Sequence, residues 1–159
     1  MPEPIIARVG ARITSLSDPS KKMSKSDENE NASVYLTDDR DTIIRKFKRA
    51  VTDNEACVRF SDDQPGIKNL ITIYSSVTGK TPEETEREFE GKGYGEFKMA
   101  VGEVTADLLT PIQEEQSRLL KDKAYVDNII KTNAERAEYL ALKTLRKVQK
   151  KIGFPERVR

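Results

Sequence analysis

The stretch "TDDRDTIIRKFKRAVTD", residues 37–53, decides the fold class. Ile43, Ile44, Phe47, Ala50 and Val51 recur at helical spacing and so share one face. Acids open the stretch and bases close it, as the helix macrodipole favours, and Thr37 or Asp38 is the expected N-cap. Working towards the C-terminus, the same period returns in "GIKNLITIYSSVTG" (66–79), which groups Ile67, Leu70, Ile71, Tyr74 and Val77 and ends on Gly79 as a C′ glycine. "TPEETEREFEG" (81–91) carries a capping box from Thr81 to Glu84, Pro82 at N1 and Gly91 as a stop. Residues 94–122 stripe Phe97, Val101, Val104, Leu108, Ile112 and Leu119, with Pro111 expected to kink or divide the helix. Asp122 opens a helix through Lys131. A second capping box, Thr132 to Glu135, is expected to start another, with Ala137, Leu140, Ala141, Leu145, Val148 and Ile152 on one face and Gly153 as its end. Ahead of residue 37 the pattern changes. "PIIARVGARITSL" (4–16) reads as a strand or two, best at residues 11–16, and "SVYL" (33–36) as another short extended piece. The expectation is a mainly α fold, a helical bundle with a short extended N-terminal arm.

Composition narrows the chemistry. Apolar residues make up 36% of the 159 and charged residues 35%, polar for a globular chain but not a disordered profile. Histidine is absent, so Ser-His-Asp triads, Cys-His pairs and His-ligated metals are excluded, and one cysteine cannot form an internal disulfide. A lone thiol points to a reducing cytoplasm. No run reaches the roughly 18 apolar residues of a membrane span, so no membrane role is expected. Catalysis, if any, runs on lysine, carboxylate, hydroxyl or backbone groups. Net charge is only +1, yet residues 80–118 hold ten acids against five bases, and residues 140–159 seven bases against one acid. That basic end suits either a polyanionic partner or a solvated helix face.

Several stretches could carry chemistry. "GKGYG" (91–95) fits neither the dinucleotide fingerprint nor the P-loop, and a helix stop with a tight turn explains it. Glu83, Glu84, Glu86, Glu88 and Glu90 read as helix surface rather than a cation site. Cys57 reads as a partly buried, inert thiol, and Tyr74, Tyr94 and Tyr139 as core packing rather than base-stacking platforms. What stands out is "DPSKKMSKSDENEN" (18–31), with three lysines among small hydroxyl residues and then a run of acids and asparagines. Nothing in it can build a core.

Its centre, "KMSKS" (22–26), is the signature of class I aminoacyl-tRNA synthetases. "GARITSLSDPSKKMSKSDENEN", "KRAVTD", "GIKNLITIYSSVTG" and "FEGKGYGEFK" together resemble the bacterial tryptophanyl-tRNA synthetases over nearly the whole chain. The related tyrosyl enzymes share the lysine-serine loop and are the alternative within the class. The chemistry implied is attack by an amino-acid carboxylate on the α-phosphate of ATP. Charge then builds on the departing pyrophosphate, and electrostatic clamping is the catalyst's task. Lysine is a compact charge on a flexible stem, and small serines let the loop close like a lid.

By resemblance, Lys22 and Lys25 are the catalytic phosphate contacts, with Lys25 serving the transition state. Ser24 and Ser26 line the nucleotide site, Met23 packs the closed loop, and the backbone at Ile13 reads adenine. ATP would bring Mg2+ with it, with no protein cage for the metal. The resemblance divides the chain into residues 1–36, the last strand and loop of a Rossmann-like catalytic domain, and residues 37–159, a helical anticodon-binding domain. It further implies tRNA(Trp) as partner, a tryptophan pocket outside this chain, a homodimer in the full-length protein, and a C-terminal piece inactive by itself. Candidate tRNA contacts are Lys143, Arg146, Lys147, Lys150 and Lys151. A helical RNA-binding module without catalysis, and a bundle that binds nothing, are the rival readings. Cut from its sheet, the arm at residues 1–31 is expected to be disordered or paired with a second copy.

Overall fold

The computed structural model describes residues 3–4 and 10–154. Helices α1 (Arg40–Lys48), α2 (Pro65–Thr78), α3 (Pro82–Glu88), α4 (Tyr94–Lys121) and α5 (Lys123–Ile152) follow a single 3-10 turn at Glu30–Ala32. The fold is mainly α, as expected. The chain falls into two compact units, Met1–Gln113 and Glu114–Arg159.

The first unit holds the core. Ile43 and Phe47 of α1, Ile67, Leu70, Ile71 and Tyr74 of α2, and Phe97 and Val101 of α4 are buried together, with Leu16 from the arm and Phe89 after α3. Each such side chain contributes about 1.5–3 kcal/mol through loss of apolar surface to water. Phe89 stands edge-on to Tyr74 with centroids 5.4 Å apart and lies 4.8 Å from Phe97. Close backbone approach sets the geometry where α2 begins. A Cβ on Gly66 would sit 2.2 Å from the Val51 carbonyl oxygen, so only glycine fits there. Helix ends follow local chemistry. Gly79 and Gly153 adopt left-handed C-caps, and Thr81 and Glu84 close the expected capping box.

Several expectations are corrected. The N-cap of α1 is Asp39, whose carboxylate accepts from the Thr42 N–H at 2.7 Å, and Asp38 turns inward instead. Residues 11–16 form no strand. One isolated antiparallel bridge, Thr14 to Lys22, is the β-pairing described there, and residues 5–9 of the stretch read as a strand or two lie outside the described residues. Residues 33–36 are extended at Ser33 but belong to no ladder. Pro111 does not divide α4. It is exposed, so the carbonyl it leaves without a donor can be hydrated. Thr132 starts no helix, because α5 runs through it. Between Asp122 and Gly153 no glycine or proline breaks the run, and an internal Thr or Asn costs under ~1 kcal/mol. Cys57 is exposed rather than partly buried, on a segment where Ala56 takes a positive φ of 55°. Tyr139 is exposed, not core.

The second unit is built from the end of α4 and from α5. No described α5 residue is buried, so the stripe through Leu140, Leu145, Val148 and Ile152 faces outward rather than into a core.

Candidate functional site

The lysine-serine loop is a hairpin closed at three levels. At its base the Leu16 N–H donates to the Ala32 carbonyl at 3.0 Å, and the Leu16 carbonyl accepts from the Val51 N–H at 2.8 Å, tying the loop's root to the end of α1. Higher up, the Ser15 N–H meets the Lys21 carbonyl at 2.9 Å and the Met23 N–H meets the Ile13 carbonyl at 3.0 Å. At the first turn Asp18 accepts from the Ser20 N–H and hydroxyl and pairs with Lys21 at 3.0 Å. The Ser20 hydroxyl, then Lys21, hold the Asp18 carboxyl below the usual carboxylate range.

The outer edge of Thr14 is not left open. Asn69 of α2 accepts from the Thr14 N–H and donates to the Thr14 carbonyl, each at 2.8 Å. One side-chain amide thus takes the place of a neighbouring strand. Thr14 thus docks on α2 and Leu16 on the segment that follows α1, while residues 1–2 and 5–9 of the arm expected to be disordered or paired with a second copy lie outside the described residues.

Beyond Met23 the chain makes a second turn, in which the Ser24 carbonyl accepts from the Asp27 N–H at 3.2 Å and the Ser24 hydroxyl from the Ser26 N–H at 3.3 Å. Lys25 and Ser26 occupy its exposed corners. The Lys21 ammonium is held by Asp18, but neither the Lys22 nor the Lys25 ammonium pairs with any described side chain, and both residues are exposed. Two ammonium groups are thereby presented to solvent from one short, hydrogen-bonded loop. Met23 and Ile13 are half-buried against the core, and Ile13 spends its carbonyl on Met23.

Sequence reading missed the residues that brace this loop. Lys46 is 5% exposed, and its ammonium reaches the Ser33 carbonyl at 2.9 Å and the Asp38 carboxylate at 2.7 Å, 4.4 Å from the Tyr35 ring centre. Ser33, itself buried, donates its hydroxyl to the Ser24 carbonyl at 2.9 Å. A signal existed. Position 46 falls on the apolar face of Ile43, Phe47 and Ala50, and a lysine there needs an acid. Among the described residues no group of three or more His, Cys, Asp or Glu side chains is placed to hold a metal ion. The basic residues Lys143, Arg146, Lys147, Lys150 and Lys151 lie exposed on α5, in the second unit.

Residues 1–110 match the model of the family described as tRNA synthetases class I (W and Y). The chain is 49% identical over 154 residues to a tryptophan–tRNA ligase of Clostridium tetani, covering 97% of this chain and 46% of that protein. It is 45% identical over 160 residues to that of Bacillus anthracis, covering 100% of this chain and 48% of that one. It spans about half the length of the curated relatives it matches. A solved tryptophanyl-tRNA synthetase from Mycoplasma pneumoniae superposes with a TM-score of 0.77 at 29% identity, over 94% of this chain and 45% of that one. The Campylobacter jejuni structure, at 22% identity and a TM-score of 0.67 over 90% of this chain and 44% of that one, shares the fold. With a family match over residues 1–110, including the lysine-serine loop and the helices that carry it, this chain belongs to the class I tRNA synthetases of the tryptophan and tyrosine group.

Proposed function

We propose that this chain works as the C-terminal part of a tryptophan–tRNA ligase. The observation that carries the proposal is the pair of exposed ammonium groups, Lys22 and Lys25, on a loop fixed at its root, in a chain 45–49% identical to tryptophan–tRNA ligases. Those relatives also favour tryptophan over the tyrosine alternative. In the activation step a tryptophan carboxylate oxygen bonds to the α-phosphorus of ATP, and the bond to the β-phosphate oxygen breaks. The products are tryptophanyl-adenylate and pyrophosphate. A ribose hydroxyl of tRNA(Trp) then takes the tryptophanyl group and AMP departs.

Lys22 and Lys25 would bind the phosphates and follow the charge that moves onto pyrophosphate, with Lys25 acting in the transition state. Ser24 and Ser26 would line the same site, and Met23 would pack the loop when it closes. The backbone at Ile13 would meet adenine, and Mg2+ would arrive with the nucleotide. Residues 1–36 would belong to the catalytic domain and residues 37–159 to the helical tRNA-binding part, with α5 offering Lys143, Arg146, Lys147, Lys150 and Lys151 to RNA. The working enzyme would be a cytoplasmic homodimer, its tryptophan pocket lying outside these residues.

The test is tryptophan-dependent ATP–pyrophosphate exchange and charging of tRNA(Trp) by the intact protein. Lys25→Ala should lower the activation rate about 10²–10³-fold, the loss expected for one transition-state donor. Unchanged exchange after both Lys22→Ala and Lys25→Ala, or charging of tRNA(Tyr) instead, would overturn the assignment.

A further inference from the structure

We propose that Lys46 and Ser33 are positioning residues for the phosphate-gripping turn, holding Lys25 in place through the Ser24 carbonyl. The inference rests on the reading of residues 22–26 as an ATP-binding loop. Its starting point is a lysine where none is needed for packing. A buried ion pair seldom stabilises a fold more than an apolar side chain of the same size, so what Lys46 adds is placement.

That placement is specific. The segment from Ser33 to Asp38 is wound about one ammonium group, which bonds the Ser33 carbonyl at 2.9 Å and the Asp38 carboxylate at 2.7 Å and sits over the Tyr35 ring. Asp38 also accepts from the Tyr35 N–H at 2.8 Å, so the segment closes on itself. Ser33 passes the constraint on. It is 2% exposed, and its hydroxyl donates to the Ser24 carbonyl at 2.9 Å. That carbonyl also accepts from the Asp27 N–H, and residues 24–27 form the turn whose corner is Lys25. A continuous path of hydrogen bonds therefore runs from the last turn of α1 to the peptide that joins Ser24 to Lys25.

Ser33→Ala isolates the tether, because it removes one hydroxyl and leaves the Lys46–Asp38 pair intact. In the intact protein, pyrophosphate exchange should show the KM for ATP raised about ten-fold and the KM for tryptophan within about two-fold of the original. Amide hydrogen exchange at Asp27 should quicken by at least about ten-fold while α2 and α4 exchange as before. Lys46→Met should reproduce both changes, with added loss of thermal stability. Parallel rises in both KM values, or unaltered exchange at Asp27 in Ser33→Ala, would overturn the inference. An unmodified protein without tryptophan-dependent exchange would instead overturn the enzyme assignment, and the Asp27 amide would still report on the tether.

Discussion

Asp38 and Asp39 are neighbours of the same chemistry with opposite tasks. Asp39 faces solvent and caps α1, and the Thr42 N–H holds its carboxyl below the usual range. Asp38 is largely enclosed and answers the Lys46 ammonium. The two should therefore respond differently to substitution. Asp38→Ala leaves a buried ammonium without its counter-charge and should cost about 3–5 kcal/mol, measured by urea unfolding. Asp39→Ala loses a cap in water and should lower the midpoint by a clearly smaller amount. Equal losses would show that Lys46 finds compensation elsewhere. The Asp39 contribution is present above the ordinary carboxylate pKa and fades as pH falls through its depressed value.

Between elements, the start of α4 is tied down by Tyr94, whose hydroxyl donates to Asp53 Oδ1 at 2.5 Å while Gln64 Nε2 reaches Glu55 at 2.9 Å. Burial, then the Asp53 carboxylate, raise the Tyr94 phenol well above the ordinary tyrosine value of 10.0. In the unfolded chain the phenol ionises near that ordinary value, whereas in the folded state it keeps its proton. Stability from this group is thus complete below pH 10 and declines as pH rises above it. Tyr94→Phe should lower neutral-pH stability by about 1–2 kcal/mol and flatten the alkaline decline, in urea titrations at pH 8 and 10.5. A decline as steep as the original would assign it to other groups. At this scale the sequence was legible wherever an element's end is a local matter, as at Gly79, at the Thr81–Glu84 box and at Gly153. It misled at Thr132, where a capping pattern lies inside a run with no breaker. It misled again at residues 11–16, whose pairing depends on a distant helix.

Across the whole molecule, the lysine-serine loop could be picked out from five consecutive residues, but its supports could not. Lys46 and Ser33 are 13 positions apart, and Thr14 and Asn69 are 55 apart. Such pairs leave no periodic trace, because each depends on how separate segments meet. Charge is the property most visible at this scale. If the exposed cations of α5 contact RNA, affinity for tRNA(Trp) should fall linearly in log–log form with salt. Lys147→Gln with Lys150→Gln should then reduce that slope by about 1.4, at about 0.7 per phosphate. A slope indifferent to both changes would make those charges bystanders. The amide of Asn69 carries a different consequence. Because the hairpin borrows its missing neighbour from a helix far along the chain, a synthetic peptide of residues 11–36 should not keep this shape. Transplanting the motif onto another scaffold would require carrying over a carboxamide at the matching height as well as the five signature residues.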